Sequence, residues 1–405
     1  MNRRKLLTLG AVALIASQWG TPVFAQQGVF KIASLNPITG AGSPYGTGML
    51  KGAQMAVAEV NAAGGAGGAK IDMASEDSQT NPQAAVLAAK KLIEVQKVRA
   101  IIGTWSSGVS LAVIPITNDA NVLLMHTSGA PALSVAPANA KKLGFRFQAT
   151  NDRFGRAFAE IAKREKFKRP ATMAFNNASG IGNTEGFRKS WTASGGTVVA
   201  NVVYEPNRPS YRSELQEVLR GKPDVIVTGS YLADTTIILR EWYQSGQPAR
   251  WIIPGWAANG DLLKALGPDV TEGIISVESI SAEDSPAYKS FADRFAKEAK
   301  MAAQDNVYAA MTYDEVIVLA LAVQAVGPTA AADVLAKKVH EIGTPGGTVV
   351  NSFAEGKKLL AAGKRVTYHG ASSALNFDEF NDVTPDFAAS FVEKGKLVRK
   401  YVVKL

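Results

Sequence analysis

Short apolar runs alternate along the chain with longer stretches whose apolar residues recur every three or four positions, a pattern that predicts strands and helices in turn. Residues 30–36 read as a buried strand. A Gly/Pro loop follows (Thr39-Gly40-Ala41-Gly42-Ser43-Pro44-Tyr45-Gly46), then a helix with Leu50, Ala53, Val57 and Val60 on one face that stops at Asn61-Ala62-Ala63-Gly64-Gly65. A second strand at 70–76 leads to Asn81-Pro82, an Asn cap before Pro at the first helical position, and a helix to about Val95. The third strand, 98–103, runs into Thr104-Trp105-Ser106-Ser107-Gly108 and a helix from near Val109. The fourth, 122–125, delivers His126-Thr127-Ser128-Gly129. Such βαβ winding implies a parallel sheet, because a crossover is needed to bring the next strand back in the same direction.

The pattern restarts after 145–150, with strands expected at 171–175, 197–204, 224–228, 251–254 and 273–278. The apolar helix at 307–326 has no strand before it, which points to a return to the first unit. The expected fold is therefore α/β, with two doubly wound lobes and parallel central sheets. Length agrees: of 405 residues about 380 remain beyond a leader, more than one core usually supports. Neither a short-period repeat nor a low-complexity segment interrupts the alternation.

The first 25 residues break the pattern. Arg3-Arg4-Lys5, an apolar run from Leu6 to Ala16 and the small-residue end Val23-Phe24-Ala25 form an export signal. Asn2-Arg3-Arg4-Lys5-Leu6-Leu7 fits a loose twin-arginine signal as well as a general secretory one, so both routes stay open. No Cys follows the apolar run, as a bacterial lipoprotein anchor requires, and the run is short for a membrane span. The expected product is soluble in the periplasm, with no membrane insertion after cleavage. The chain has no Cys, so packing rather than disulfides must hold it together. The net charge of +9 is interleaved with acidic residues and lacks a basic tract with aromatics, which gives no reason to expect nucleic acid as a partner.

Candidate chemistry gathers at the strand ends. Hydroxyl residues and free N–H groups at the carboxyl ends of parallel strands and at helix N-termini make an anion-receptive crevice, although the same residues also serve as ordinary turns and caps. Enzyme chemistry finds little support. The three His residues have no metal-ligand spacing, there is no Cys nucleophile and no Gly-x-Ser-x-Gly elbow, and Gly40-Ala41-Gly42 lacks the rest of a dinucleotide fingerprint. Neither cofactor nor metal is expected. His126 is either a donor to a bound anion or a residue satisfied by nearby backbone.

Several stretches resemble the leucine/isoleucine/valine-binding family of type I periplasmic solute-binding proteins. They are Pro37-Ile38-Thr39-Gly40, Asn61-Ala62-Ala63-Gly64-Gly65, Glu76-Asp77-Ser78-Gln79-Thr80-Asn81-Pro82, Tyr313-Asp314-Glu315, Tyr368-His369-Gly370-Ala371-Ser372 and Phe377-Asp378, in the family's order. The resemblance implies a signal peptide at 1–25, one lobe from 28–148 with 281–384, and a second from 149–280 with 385–405. A hinge of three crossovers near Ala149, Ile280 and Thr384 would join them. It implies a receptor that closes over a small solute and hands it to the membrane subunits of an ABC importer, rather than an enzyme; an exported hydrolase or a sensor on the same scaffold are the competing classes.

By the same resemblance, Ser107 with Ser106 beside it, and Thr127, Ser128 and Gly129, would hold a ligand carboxylate. Tyr45 would cover the ligand, and the second lobe would contribute at Ile181, Ser230, Tyr231 and Trp256. Two positions depart from the family: Ile181 is not aromatic, and Trp256 stands where an acid would pair with a ligand ammonium. Either Asp234 or Glu278 replaces that acid and the ligand is an amino acid of branched-chain type, or the ligand is an aromatic or other simple carboxylate without an ammonium. Trp256 could stack on such an acid, pair with a cation or be a core residue, and Asp234 could equally be the N-cap of the helix that follows it.

Sequencing the N-terminus of periplasmic protein should find a start near Gln26; material that retained Leu6 to Ala16 would contradict the cleavage site.

Overall fold

A computed structural model describes residues 28–405; the export signal lies outside the described residues. Strands β1 (Gly28–Asn36), β2 (Ala69–Asp77), β3 (Ala100–Gly103), β4 (Leu123–His126) and β5 (Gly144–Arg146) form an all-parallel sheet in the order β2-β1-β3-β4-β5. Strands β6 (Pro170–Phe175), β7 (Asn201–Tyr204), β8 (Val225–Gly229), β9 (Arg250–Pro254) and β10 (Ile275–Ser279) form a second parallel array. A short parallel pair, β11 (Thr348–Val350) and β12 (Val366–Tyr368), stands apart. The hairpin β13 (Phe387–Glu393) and β14 (Lys396–Val403) then adds antiparallel to β10, giving the order β14-β13-β10-β9-β8-β6-β7. The chain thus passes between the large sheets three times: after β5, after β10 and after β12.

In each sheet the strand order reverses, between β1 and β3 in the first and between β6 and β8 in the second. The crevice outside the carboxyl ends at such a reversal is where open α/β sheets take ligands. The loops leaving β3, β6 and β8 all start there.

The helix Val307–Val326 returns to the first sheet, as its missing strand implied. It is buried along most of its length, so its apolar composition reflects core packing. It lies close against the helix Ser43–Ala62: Thr312 Oγ1 donates to Met49 O at 2.7 Å, and a Cβ at Gly52 would stand 2.2 Å from Ala309 O, an approach only glycine permits. Two acids on this buried helix act as clamps. Glu315 Oε2 accepts from Gly103 N at 2.9 Å and fixes the end of β3. Asp314 accepts from Tyr368 Oη (2.7 Å), Ala371 N (2.9 Å) and Ser372 N (2.6 Å), fixing the chain beyond β12. Burial raises both carboxyls, Asp314 to about 6 and Glu315 well above the ordinary range.

Local departures from the sequence expectation have physical causes. The helix expected from near Val109 starts at Ser107, so Ser107 is its first turn rather than loop. The strand expected at 197–204 is ladder-paired only from Asn201, opposite Thr172. Asn81 caps as expected, accepting from Ala84 N at 2.9 Å. Asp234 does not cap: the N-cap is Tyr231, and Asp234 sits in the first turn.

Arg146, at the end of β5, has no exposed surface. Its Nε donates to Asp382 Oδ1 at 2.9 Å, and its other nitrogens donate to Ser128 O, to Ala130 O at 2.9 Å and to Ser134 Oγ at 2.7 Å. Removing one partner of such a pair strands a buried charge. Asp382→Ala should therefore lose about 3–5 kcal/mol in urea unfolding, and a loss below about 1 kcal/mol, the scale of an exposed ion pair, would show that the pair does not anchor these loops.

Candidate functional site

Where β3 ends, the polypeptide turns through Thr104 and enters the helix Ser107–Asp119, whose first turn holds no acid and whose N-cap, Ser106, makes no side-chain cap bond. The first intrahelical bond runs from Ser110 N to Ser106 O at 3.0 Å, which leaves the preceding N–H groups of this turn for other partners. Ser107 Oγ accepts from Ala130 N (3.1 Å) and Asn151 Nδ2 (3.4 Å), so with both lone pairs engaged its own proton is a free donor. Across from it stands Gly129, where a Cβ would come within 2.0 Å of Asn151 Oδ1. The buried hydroxyl of Thr127 has no hydrogen-bond partner. These groups form a donor-rich wall.

The remaining walls are aromatic. Trp105 lies 5.1 Å from Tyr231 and 5.9 Å, edge-on, from Tyr308, while Phe154 and Trp256 meet at 5.0 Å and 76°. The indole N–H of Trp256 is spent on Ser230 O at 3.0 Å, so this side chain offers a ligand only its ring. Together with Gln148, Ala149, Asn151 and Ser179, the two sets of residues line about 290 Å³ of empty space that opens to solvent.

No carboxylate lines this space. Glu278 lies behind the wall, its Oε2 accepting from Tyr308 Oη at 3.3 Å and its Oε1 from Ser279 N at 2.9 Å, and burial pushes it up to about 7. Asp234 is turned away, accepting from Tyr211 Oη at 2.5 Å and Asn207 N at 3.1 Å. His126 is held well below the usual imidazole range by burial and then by Arg146, and its Nδ1 accepts from Ser128 N at 3.2 Å. Of its two readings, local backbone satisfaction is the one observed.

Of the residues named from sequence, Ser107, Thr127, Gly129, Tyr231 and Trp256 converge on the cavity. Ser128 does not: its hydroxyl is committed to Thr104 O, Trp105 O and Ser110 Oγ beneath the loop. Ser106 receives the Tyr231 hydroxyl at 3.3 Å, and Ser230 bonds Thr235 Oγ1 at 2.7 Å. Ile181 lies along the helix Ala178–Ala193, where Ser179, two residues earlier, reaches the cavity instead. Tyr45 sits outside the wall, stacked on Trp105 at 5.7 Å; its hydroxyl donates to Trp256 O at 3.1 Å and accepts from Asn259 Nδ2 at 2.8 Å. It closes the cleft rather than facing its content. Trp105, Gln148, Ala149, Asn151, Phe154, Ser179 and Tyr308 were not anticipated; the only sequence signals were the loop carrying Trp105 and the crossover near Ala149.

A family description for periplasmic binding proteins matches residues 29–361. The Leu/Ile/Val-binding protein BraC3 of Rhizobium johnstonii is 26% identical over 351 residues, covering 86% of this chain and 90% of that protein. Among solved structures, a leucine-binding protein from Thermotoga maritima superposes with a TM-score of 0.79 at 22% identity over 92% of this chain and 98% of its own. A benzoate-bound ABC transporter solute-binding protein from R. palustris does so with 0.74 at 23% identity, over 93% and 96%. At these identities the structures speak for a shared fold. With the family match extending across both large sheets, the chain belongs to the periplasmic binding protein family.

Proposed function

We propose that this protein is the periplasmic receptor of an ABC importer and that it captures a small aromatic carboxylate by closure of two lobes, 28–148 with 281–384 and 149–280 with 385–405. The observation that carries the ligand class is the cavity wall: free donors at Ser107 and Thr127 beside a helix N-terminus, surrounding rings, and no lining carboxylate. A carboxylate is stabilised by the donors and a flat apolar body by Trp105, Tyr231, Phe154 and Trp256. An α-ammonium in the same space would lose its water without gaining a counter-charge. The benzoate-bound relative has a comparable fold, which fits this reading without carrying it.

In this mechanism the ligand docks on Ser107 and Gly129, and Tyr231 and Trp256 then complete the enclosure, so that binding shifts an open–closed equilibrium. Contacts from Tyr45 to Trp256 and Asn259, and from Tyr231 to Ser106, latch the closed state. In this reading the solute is handed on unchanged, and the protein is a binder rather than an enzyme. The second reading, a branched-chain amino acid, draws on the name of the Rhizobium relative and on Glu278, which would have to reach the ammonium past Tyr308 and Gln148.

Titration calorimetry with benzoate, phenylalanine and leucine separates the two. Benzoate should bind and leucine should not, with Trp256→Ala weakening benzoate by about tenfold or more, or 1.4 kcal/mol. Leucine binding that survives Trp256→Ala and disappears in Glu278→Gln would establish the amino-acid reading instead.

Ser107→Ala should weaken the bound carboxylate by roughly 1–3 kcal/mol, because a charge-assisted bond in a desolvated site is lost. Unaltered affinity in a folded variant would remove Ser107 from the site.

A further inference from the structure

The chain's cations gather at one place: five of the seven residues from Lys163 to Arg169 are Lys or Arg, with Phe167 among them. Against the interleaving expected from sequence, this is a basic tract that holds an aromatic. It forms the end of the helix Asn151–Arg164 and the turn into β6, at the amino ends of the second sheet's strands. The cavity lies beyond the carboxyl ends, and the six residues of β6 place roughly 20 Å of strand between the two. A partner held here leaves the cleft free.

Part of this charge is engaged within the protein. Lys163 pairs with Glu160 at 2.5 Å, the Arg164 guanidinium lies 3.6 Å from the ring centre of Tyr401, and Arg169 donates to the carbonyls of Gly221 (2.6 Å) and Lys222 (3.1 Å). The neighbouring acids are engaged as well: Glu165 accepts from Tyr401 Oη at 2.9 Å, and Asp224 from the backbone N–H groups of Lys168 (2.6 Å) and Arg169 (3.0 Å). Lys166, Lys168 and Lys222 are left exposed, with no acid in ion-pair range among the described residues. Beside them runs a groove lined by the half-buried Phe167, the buried Trp191 and the exposed Lys163, Lys168, Ser194 and Thr197. The indole N–H of Trp191 is bonded to Thr197 O at 3.2 Å, so the groove receives only its ring.

We propose that this end of the protein is a docking surface for a membrane bearing anionic phosphate headgroups, which it touches without inserting. Free ammonium groups on two neighbouring segments present a spread of positive charge rather than one enclosed point, and so match a plane of phosphates better than a single small anion. An apolar floor beneath lysine side chains meets a headgroup and the first methylenes of a lipid together. Among the described residues the one helix long and apolar enough to cross a membrane is buried in the core, so contact with a lipid surface falls to exposed side chains such as these. Each lysine near the surface adds a modest attraction that salt screens, so adsorption is reversible and confines the search for the importer's membrane subunits to a plane. Docking of this kind requires the periplasmic placement proposed above and is independent of the ligand class.

The test is co-sedimentation of the mature chain with phosphatidylcholine vesicles that contain or lack phosphatidylglycerol, at low salt. Two triple variants separate a local surface from net charge, since each removes three exposed lysines: Lys166→Gln with Lys168→Gln and Lys222→Gln at the proposed surface, and Lys90→Gln with Lys97→Gln and Lys297→Gln on the first lobe. Wild type should partition onto the anionic vesicles and not the neutral ones. The first triple variant should lose about tenfold or more in partitioning, and the second less than about threefold. Absence of wild-type binding to anionic vesicles, equal binding to neutral ones, or equal losses in the two variants overturns the surface. Full displacement by soluble glycerol phosphate overturns it too, in favour of a site for a single phosphate. The wild-type comparison decides even if a variant fails to fold, and none of these outcomes bears on the ligand class, which is read in titrations without vesicles.

Discussion

The buried Arg146 guanidinium sets the geometry on which the cavity depends. Its donors go to the carbonyls of Ser128 and Ala130, so the loop around Gly129 turns its acceptors inward to a cation and away from the ligand space. A carboxylate approaching that loop would otherwise meet carbonyl dipoles of its own sign. Arg146 is in turn neutralised by Asp382, which the chain supplies only after its long excursion through the helices beyond β10. The loop around Gly129 therefore takes its shape from a residue more than two hundred positions away, and the same cation helps to keep the nearby His126 neutral. A neutral His126 with its Nδ1 on Ser128 N stiffens the loop without adding a charge to it.

Glu315 does for the loop after β3 what Arg146 does for this one. Holding Gly103 N, it fixes the exit of β3, and the next residues can turn so that Ser107 opens a helix. Ser110, Thr104 and Ser128 then knit the two loops together through their hydroxyls and backbone. With these groups committed to one another, the donors left over at Ser107 and Thr127 face the cavity. Preorganisation of this kind lowers the cost of binding, since the ligand does not have to order the loops that receive it.

The sequence made the architecture legible because periodicity reports burial, and burial follows the sheet layers. It located the apolar helix at 307–326 to the residue and read its return to the first sheet. It located both loops that border the cavity for the same reason: strand ends are visible where apolar runs stop. It could not say which hydroxyl within a loop faces the ligand. Ser106, Ser107 and Ser128 are chemically identical, and only the tertiary partners of Ser128 beneath the loop and of Ser106 at Tyr231 set them apart from Ser107. Gln148, Asn151, Phe154 and Tyr308 were illegible for a related reason. They sit in a crossover or in the first turns of helices, where local pattern shows a buried residue but not the space it borders. Asp234 misled because capping preference is local, whereas its carboxylate is claimed by Tyr211 and Asn207 from another segment.

Glu278 is the residue that tests whether these features agree. A fixed negative charge just behind the wall would oppose an anionic ligand, and the walls of the cavity provide little dielectric to soften the repulsion. Burial already moves this carboxyl up to about 7, toward its neutral form. An arriving carboxylate would raise it further, because a like charge disfavours ionisation, and would favour proton uptake by Glu278 over repulsion of the ligand. An ammonium would act in the opposite sense, drawing Glu278 toward its ionised form. The cavity can thus accept an anion despite the acid behind it, and the sign of proton exchange on binding is itself a record of which charge the ligand brings to the wall.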